Sequence, residues 1–242
     1  MYELAKLCAD IQMPQEVTDA LLKGSRNAFP GLAVLREHLN AACAALDTYE
    51  QLGLSQEIYV DTMAAFSRFV REHKQSFGTY GFDRDFWTTR QTGCLLFRIG
   101  TLEYELCQEQ GIRVISLHIP SDAVLTAPSL RQSIRSAKEI LERTFPDWAN
   151  LPWYCHSWLL SPDLKTILPE TSKILYFQSL FDLEPDDDEG EFKLWAYGRE
   201  DIPNDQLPET TTLQRNLKKF LLDGGRFRSG KGTLAQSAFE KA

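Results

Sequence analysis

A chain of 242 residues, 43% apolar and 25% charged, has globular composition and length for one large domain or two unequal ones, which excludes the disordered and fibrous classes. Its formal net charge of −8 gives no long-range attraction to phosphate backbones or anionic lipid, so no nucleic-acid or membrane partner is expected. Five scattered cysteines (Cys8, Cys43, Cys94, Cys107, Cys155) without a CxxC pair, and a start lacking a continuous apolar stretch, predict reduced thiols in a soluble cytoplasmic protein.

Residues 1 to about 77 read as helices. A short one opens the chain and one follows Pro14. A long one crosses LAVLREHLNAACAALDTYEQL. Another lies in EIYVDTMAAFSRFVREHKQSF, where Tyr59, Met63, Phe66 and Val70 form one apolar stripe at helical spacing. At GTYGFDRDFW the pattern breaks, and beyond it apolar residues alternate, so a domain boundary is placed near Gly78 and a second domain over 78–225.

CLLFRIGTLEYEL predicts a hairpin turning at Gly100-Thr101, glycine suiting the first position of a type II′ turn, with Arg98 opposite Glu103 and Phe97 opposite Tyr104. RVISLHIP is a third strand. The connector SDAVLTA leads to a helix from about Pro128 to Phe145 that buries Leu130, Ile134, Ala137 and Leu141. An aromatic strand, PWYCHSWLL, precedes a helical stretch within PDLKTILPETSKILYF. Two further strands, SLFDLE and EFKLWAYG, are read as joined by the acidic hairpin tip PDDDEGE. The last helix starts at a Thr211/Gln214 capping box, buries Leu213, Leu217, Phe220 and Leu221, and stops at Gly224-Gly225. Residues 226–242 read as a flexible basic tail. The fold class is α+β, a helical N-terminal domain followed by a mixed, mostly antiparallel sheet flanked by helices.

Residues 94–197 thus run β-β-β-α-β-α-β-β, the order of the GNAT N-acyltransferase core from its second strand onward. In ILYFQSLFDLE, Tyr176 precedes Phe181 at the spacing of the GNAT Y-x-x-x-G-F turn, with Leu180 in the glycine's place. The segments YVDTMAAFSRF, FDRDFWTTRQ, LFRIGTLEYE, HIPSDA, SWLLSP and LPETTTLQR resemble a bacterial family of acyltransferase-domain proteins, with a helical N-acyltransferase N-terminal part and a GNAT-like C-terminal part. The resemblance implies an acyl-CoA donor, acetyl-CoA or a longer thioester, and a small-molecule or peptide amine acceptor, without a metal.

It also implies site residues. Tyr176 takes the role of general acid to the departing thiolate. His118 and His156 flank the point where GNAT sheets splay to admit the thioester, and fit a base and its orienting partner. The pyrophosphate loop falls at HIPSDAVLTAPSLR, where Ile119, Ser121, Thr126, Ser129 and Arg131 are the cofactor-binding candidates although the family's glycines are replaced.

Read from the residues alone, Glu103 shares a polar hairpin face with Glu105 and is a candidate base; pairing with Arg98 is the structural account. Cys155 and His156, adjacent on a strand, face opposite ways and make no dyad. GGRFRSGKGT lacks the hydroxyl that a phosphate loop needs after Lys231 and follows a helix, so it is no nucleotide site. Its basic residues reach toward the CoA 3′-phosphate in the functional reading. Trp87, Arg90 and Gln91 are read as structural. Two alternatives stay open: a non-catalytic GNAT-fold binding or scaffold protein, and acyl transfer from an acyl-carrier protein.

Overall fold

The computed structural model describes residues 3–25, 27–109, 111–184, 186 and 191–240. Contacts divide the chain into two compact units, Met1–Ile99 with Glu103–Glu105 and Ile140–Pro146, and Gly100–Leu102 with Leu106–Glu139 and Asp147–Ala242.

The first unit holds α1 (Leu4–Asp10), α2 (Gln15–Leu22), α3 (Leu32–Gln51), α4 (Gln56–Phe77), α5 (Asp85–Thr92) and the strand β1 (Leu96–Ile99). Helix α4 starts where the Ser55 hydroxyl accepts the Ile58 N–H and stops at Gly78, whose φ of +75° only glycine adopts freely. Its stripe of Tyr59, Met63, Phe66 and Val70 is fully buried, as the periodicity predicts. Tyr49 of α3 stacks edge-on against Tyr59 and Phe97, and its hydroxyl donates to the Gln91 carbonyl at 3.0 Å. The helical part therefore runs on through α5, past residue 77.

The remaining elements are β2 (Leu102–Glu109), β3 (Ile112–His118), α6 (Ala127–Thr144), β4 (Trp153–Ser157), α7 (Leu164–Ile167), α8 (Lys173–Gln178), β5 (Phe181–Glu184), α9 (Phe192–Tyr197), α10 (Thr212–Leu222), β6 (Gly230–Leu234) and α11 (Gln236–Glu240). The sheet order is β1-β2-β3-β4-β6-β5. β3 and β4 run parallel, while β6 is antiparallel to both β4 and β5. Gly100 alone of the turn pair Gly100-Thr101 has a positive φ, as a type II′ turn requires. The turn rests on α6: Leu102 N–H donates to the Ser133 hydroxyl, and a Cβ on Gly100 would press on Ser133 at 3.2 Å. Thr211 and Gln214 form the expected capping box of α10.

Two expectations are corrected. EFKLWAYG is not a strand but the helix α9, ended by Gly198 at φ +79°. Phe192 and Tyr197 bury into an apolar cluster with Leu164, Leu207, Leu217 and Phe227, and six residues whose pattern fits either period take the form that this cluster accepts. Among the described residues no hairpin follows β5, and the acidic tip expected there lies outside them apart from Asp186 and Glu191. Nor is the expected tail over 226–242 flexible in its described part: β6 within it pairs residue by residue with β4 and β5. Its glycines are there for proximity. A Cβ on Gly230 would collide with the Leu160 carbonyl, and one on Gly232 would lie 2.6 Å from the Asp182 carbonyl oxygen.

Candidate active site

Register sets the place of the site. β3 and β4 pair at Ile115–Trp153 and Ser116–Tyr154. Beyond that point β3 continues to His118, whereas Cys155, His156 and Ser157 of β4 pair with Gly232, Lys231 and Gly230 of β6. The ladder between the two parallel strands thus ends before their carboxyl ends, while β4 goes on pairing with β6. Backbone amides beyond the end of a ladder can bind an extended chain or polarise a carbonyl.

His118 ends β3, half-buried, and His156 sits exposed on β4, each two residues past the last shared pair. The partner of His156 is Asp186, just beyond β5, with Nε2 2.8 Å from Oδ2, whereas sequence reasoning paired it with a second histidine. Across β4, β6 and β5, His156, Lys231 and Glu184 are direct neighbours, and so are Tyr154, Thr233 and Asp182, which makes one polar face. On that face burial pushes the Tyr154 phenol up to about 12, and the carboxylates of Glu109, Glu184 and Asp186 add to the effect. Cys155 faces the other way, fully buried, and burial drives its thiol far above the ordinary range; an inert core thiol results.

The connector after β3 brings the cofactor-binding candidates to the start of α6. Ile119 and Ser121 lie in a turn closed by Ala123 N–H on the Pro120 carbonyl. Val124 N–H donates to the Thr101 hydroxyl at 2.6 Å, which ties the connector to the hairpin turn. Thr126 caps α6: its hydroxyl accepts the Ser129 N–H at 3.4 Å and lies 2.8 Å from the Ser129 hydroxyl. Pro128 has no N–H, so this helix start offers fewer amides to an anion than a glycine-rich loop does. What it offers instead is Arg131, one turn in, whose Nη1 donates to the Tyr176 hydroxyl of α8 at 3.4 Å. Thr126 is thus paired with Ser129, and Arg131 with Tyr176.

Glu103 is corrected. It lies on no exposed polar face: it is 2% exposed and takes the Arg68 guanidinium of α4 at 2.8 Å, because α4 covers that side of the hairpin. A carboxylate so buried and paired serves as structure. Glu105 accepts from Arg90 at 3.0 Å, and Arg90 stacks on Trp87 at 4.3 Å. The basic segment is engaged too, since Arg228 grips Asp163 with its backbone N–H and guanidinium, the latter at 2.9 Å.

Sequence reasoning missed three groups. Asp186 sat inside an acidic run that read as solvated. Asp163 looked like an ordinary helix cap. Gln178, 1% exposed, donates Nε2 to the carbonyls of Leu159 and Ser161 at 3.0 and 2.9 Å, fixing α8 and therefore Tyr176; its only sequence signal was a polar residue on an apolar helix. Among the described residues no group of three or more His, Cys, Asp or Glu could hold a metal ion. No helix among them is long and apolar enough to cross a membrane.

A parallel pair whose ladder ends before its carboxyl ends, a helix after the first strand and a tyrosine-bearing helix after the second define a GNAT-type fold. The family model of the GNAT-like C-terminal domain matches residues 96–234, and that of the N-acyltransferase N-terminal domain matches residues 25–94; the chain belongs to this family. Among solved structures it is similar to an acyltransferase in complex with CoA and 10C-teicoplanin (19% identity, 97% of this chain and 88% of that one, TM-score 0.84). It is similar also to an acyltransferase in complex with decanoyl-CoA and teicoplanin (20%, 95% and 87%, 0.82) and to an acyltransferase mutant in complex with octanoyl-CoA (20%, 95% and 87%, 0.80). At these identities the likeness is one of fold. No curated protein matches the chain significantly in sequence.

Proposed function

We propose that the protein is an acyl-CoA-dependent N-acyltransferase that passes the acyl group directly from the thioester to an amine. The observation that carries this reading is the end of the β3–β4 ladder after Ser116 and Tyr154 in a chain of this family. The thioester lies against the two strands beyond that point, where a strand N–H polarises its carbonyl. The amine nitrogen forms a bond to the carbonyl carbon and gives up a proton. The carbon–sulfur bond breaks, and the sulfur leaves with the electron pair and takes the Tyr176 phenolic proton. The phenolate is reprotonated from solvent. Arg131, Thr126 and Ser129 meet the pyrophosphate, Arg131 supplying the charge that the missing glycine amides do not.

The relatives crystallised with decanoyl-CoA and octanoyl-CoA support a medium-chain donor. The teicoplanin complexes support an amine-bearing small molecule or peptide-like acceptor. A second reading, a carrier-protein donor or a non-catalytic scaffold, is favoured by the amide-poor start of α6.

Calorimetric titration with decanoyl-CoA and with acetyl-CoA separates the two. Micromolar binding that Tyr176→Phe retains while turnover falls about 10²- to 10⁴-fold, and that Arg131→Ala weakens about tenfold, is the expected result. Absence of binding to either thioester overturns the acyl-CoA reading.

A further inference from the structure

We infer that Asp186 is a positioning residue that turns His156 into the base of the reaction, an inference that rests on the acyltransferase reading above. The geometry begins with the register, which sets His156 on the segment of β4 beyond its last ladder pair with β3. The His156 side chain is 40% exposed while the carboxylate facing it is only 13% exposed, so the imidazole is open to a reactant and its partner is shielded. Asp186 Oδ2 lies 2.8 Å from Nε2. An ionised carboxylate only accepts, so Nε2 must carry a proton, and the lone pair falls to Nδ1. A histidine held in one tautomer by a carboxylate, with its other nitrogen open, is the arrangement that general-base catalysis needs.

The surrounding charges suit a protonated amine. Glu184 and Asp182 of β5 lie on the same sheet face, with Glu109 close enough to act on Tyr154. Lys231 of β6 is the cation directly opposite His156, and His118 closes β3. In the reaction, the ammonium gives one proton to solvent before attack, and Nδ1 takes a second from the acceptor nitrogen as its bond to the acyl carbon forms. Nε2 keeps its own proton on Asp186, and the resulting imidazolium returns the extra proton to solvent after CoA leaves. Asp186 touches neither substrate; it sets which nitrogen is free.

The test uses the full chain labelled with ¹⁵N, whose four histidines are assigned with His→Gln variants. The expected spectrum shows neutral His156 protonated on Nε2, with a slowly exchanging Nε2 proton that is lost in Asp186→Asn while the amide spectrum stays dispersed. A neutral His156 protonated on Nδ1, or an Nε2 proton unchanged in Asp186→Asn, overturns the pairing. With decanoyl-CoA and a primary amine, Asp186→Asn should lower kcat by between about 10²- and 10⁴-fold at unchanged KM for decanoyl-CoA, and Asp186→Glu should recover part of it. Turnover retained in His156→Gln overturns this inference alone. A wild-type protein that turns over no CoA thioester overturns the acyl-CoA reading together with the catalytic half of this one, and the spectrum still decides the pairing.

Discussion

Replacing Glu103 by Gln removes the nearer counter-ion, at 2.8 Å, of a guanidinium whose side chain is only 10% exposed, and leaves it Glu72 at 3.9 Å. Leaving one member of a buried pair without the other costs about 3 kcal/mol or more, so urea unfolding of Glu103→Gln should show a loss of that order. The double replacement Arg68→Met with Glu103→Leu should recover most of it. Single residues also set the alkaline limit. Burial pushes the phenols of Tyr154 and Tyr197 up to about 12, from an ordinary value of 10. Their folded-state pKa lies above the unfolded one, so both favour folding below pH 10, and that support drains away as pH rises from 10 to 12. Stability measured across that window should fall less steeply in the double variant Tyr154→Phe, Tyr197→Phe; an identical slope would exclude these two phenols as its source. The histidine candidates were legible in the sequence from residue type and strand position, and Tyr176 only through its spacing in the turn that resembles the family's. The fate of Glu103 was not, since alternation assigns a face to a residue and cannot tell that a helix distant in sequence will cover it. Asp186 was hidden for the opposite reason, as one carboxylate in a run whose members differ only in where the chain turns.

Among the elements, the amphipathic helices and the hairpin were read correctly because each states its own period over enough residues: the buried stripe of α4 and the capping box of α10 are local patterns with local causes. β6 is the contrary case. Its Gly230 and Gly232 read as a loop, yet they permit the approach of the Leu160 and Asp182 carbonyls. Gly232→Ala places a methyl 2.6 Å from a backbone oxygen, and overpacking of this kind costs about 1–3 kcal/mol. Thermal unfolding should register that loss, whereas a truly mobile segment would tolerate alanine or gain slightly from it. α9 was misread because its six residues alternate well enough for a strand, and only the cluster around Leu217 and Phe227 chooses between the forms.

At the scale of the molecule, family boundaries and folding boundaries differ. The N-terminal family model ends at residue 94, but the first unit also owns Glu103–Glu105 and Ile140–Pro146. Phe97 stacks on both Tyr49 and Phe145, and Tyr49 is fully buried. A fragment of residues 1–94 therefore lacks part of its own core. It should keep helical far-ultraviolet circular dichroism but lose the near-ultraviolet signal and the cooperative transition; a sharp unfolding transition in that fragment would show the helical part to be self-sufficient. The placement of β6 has a bearing on biosynthesis. β4 and β5 present bare edges to solvent until a strand far downstream emerges from the ribosome and slides between them. A polypeptide stalled or clipped before that strand would be a sticky, chaperone-dependent species rather than a slightly shortened enzyme.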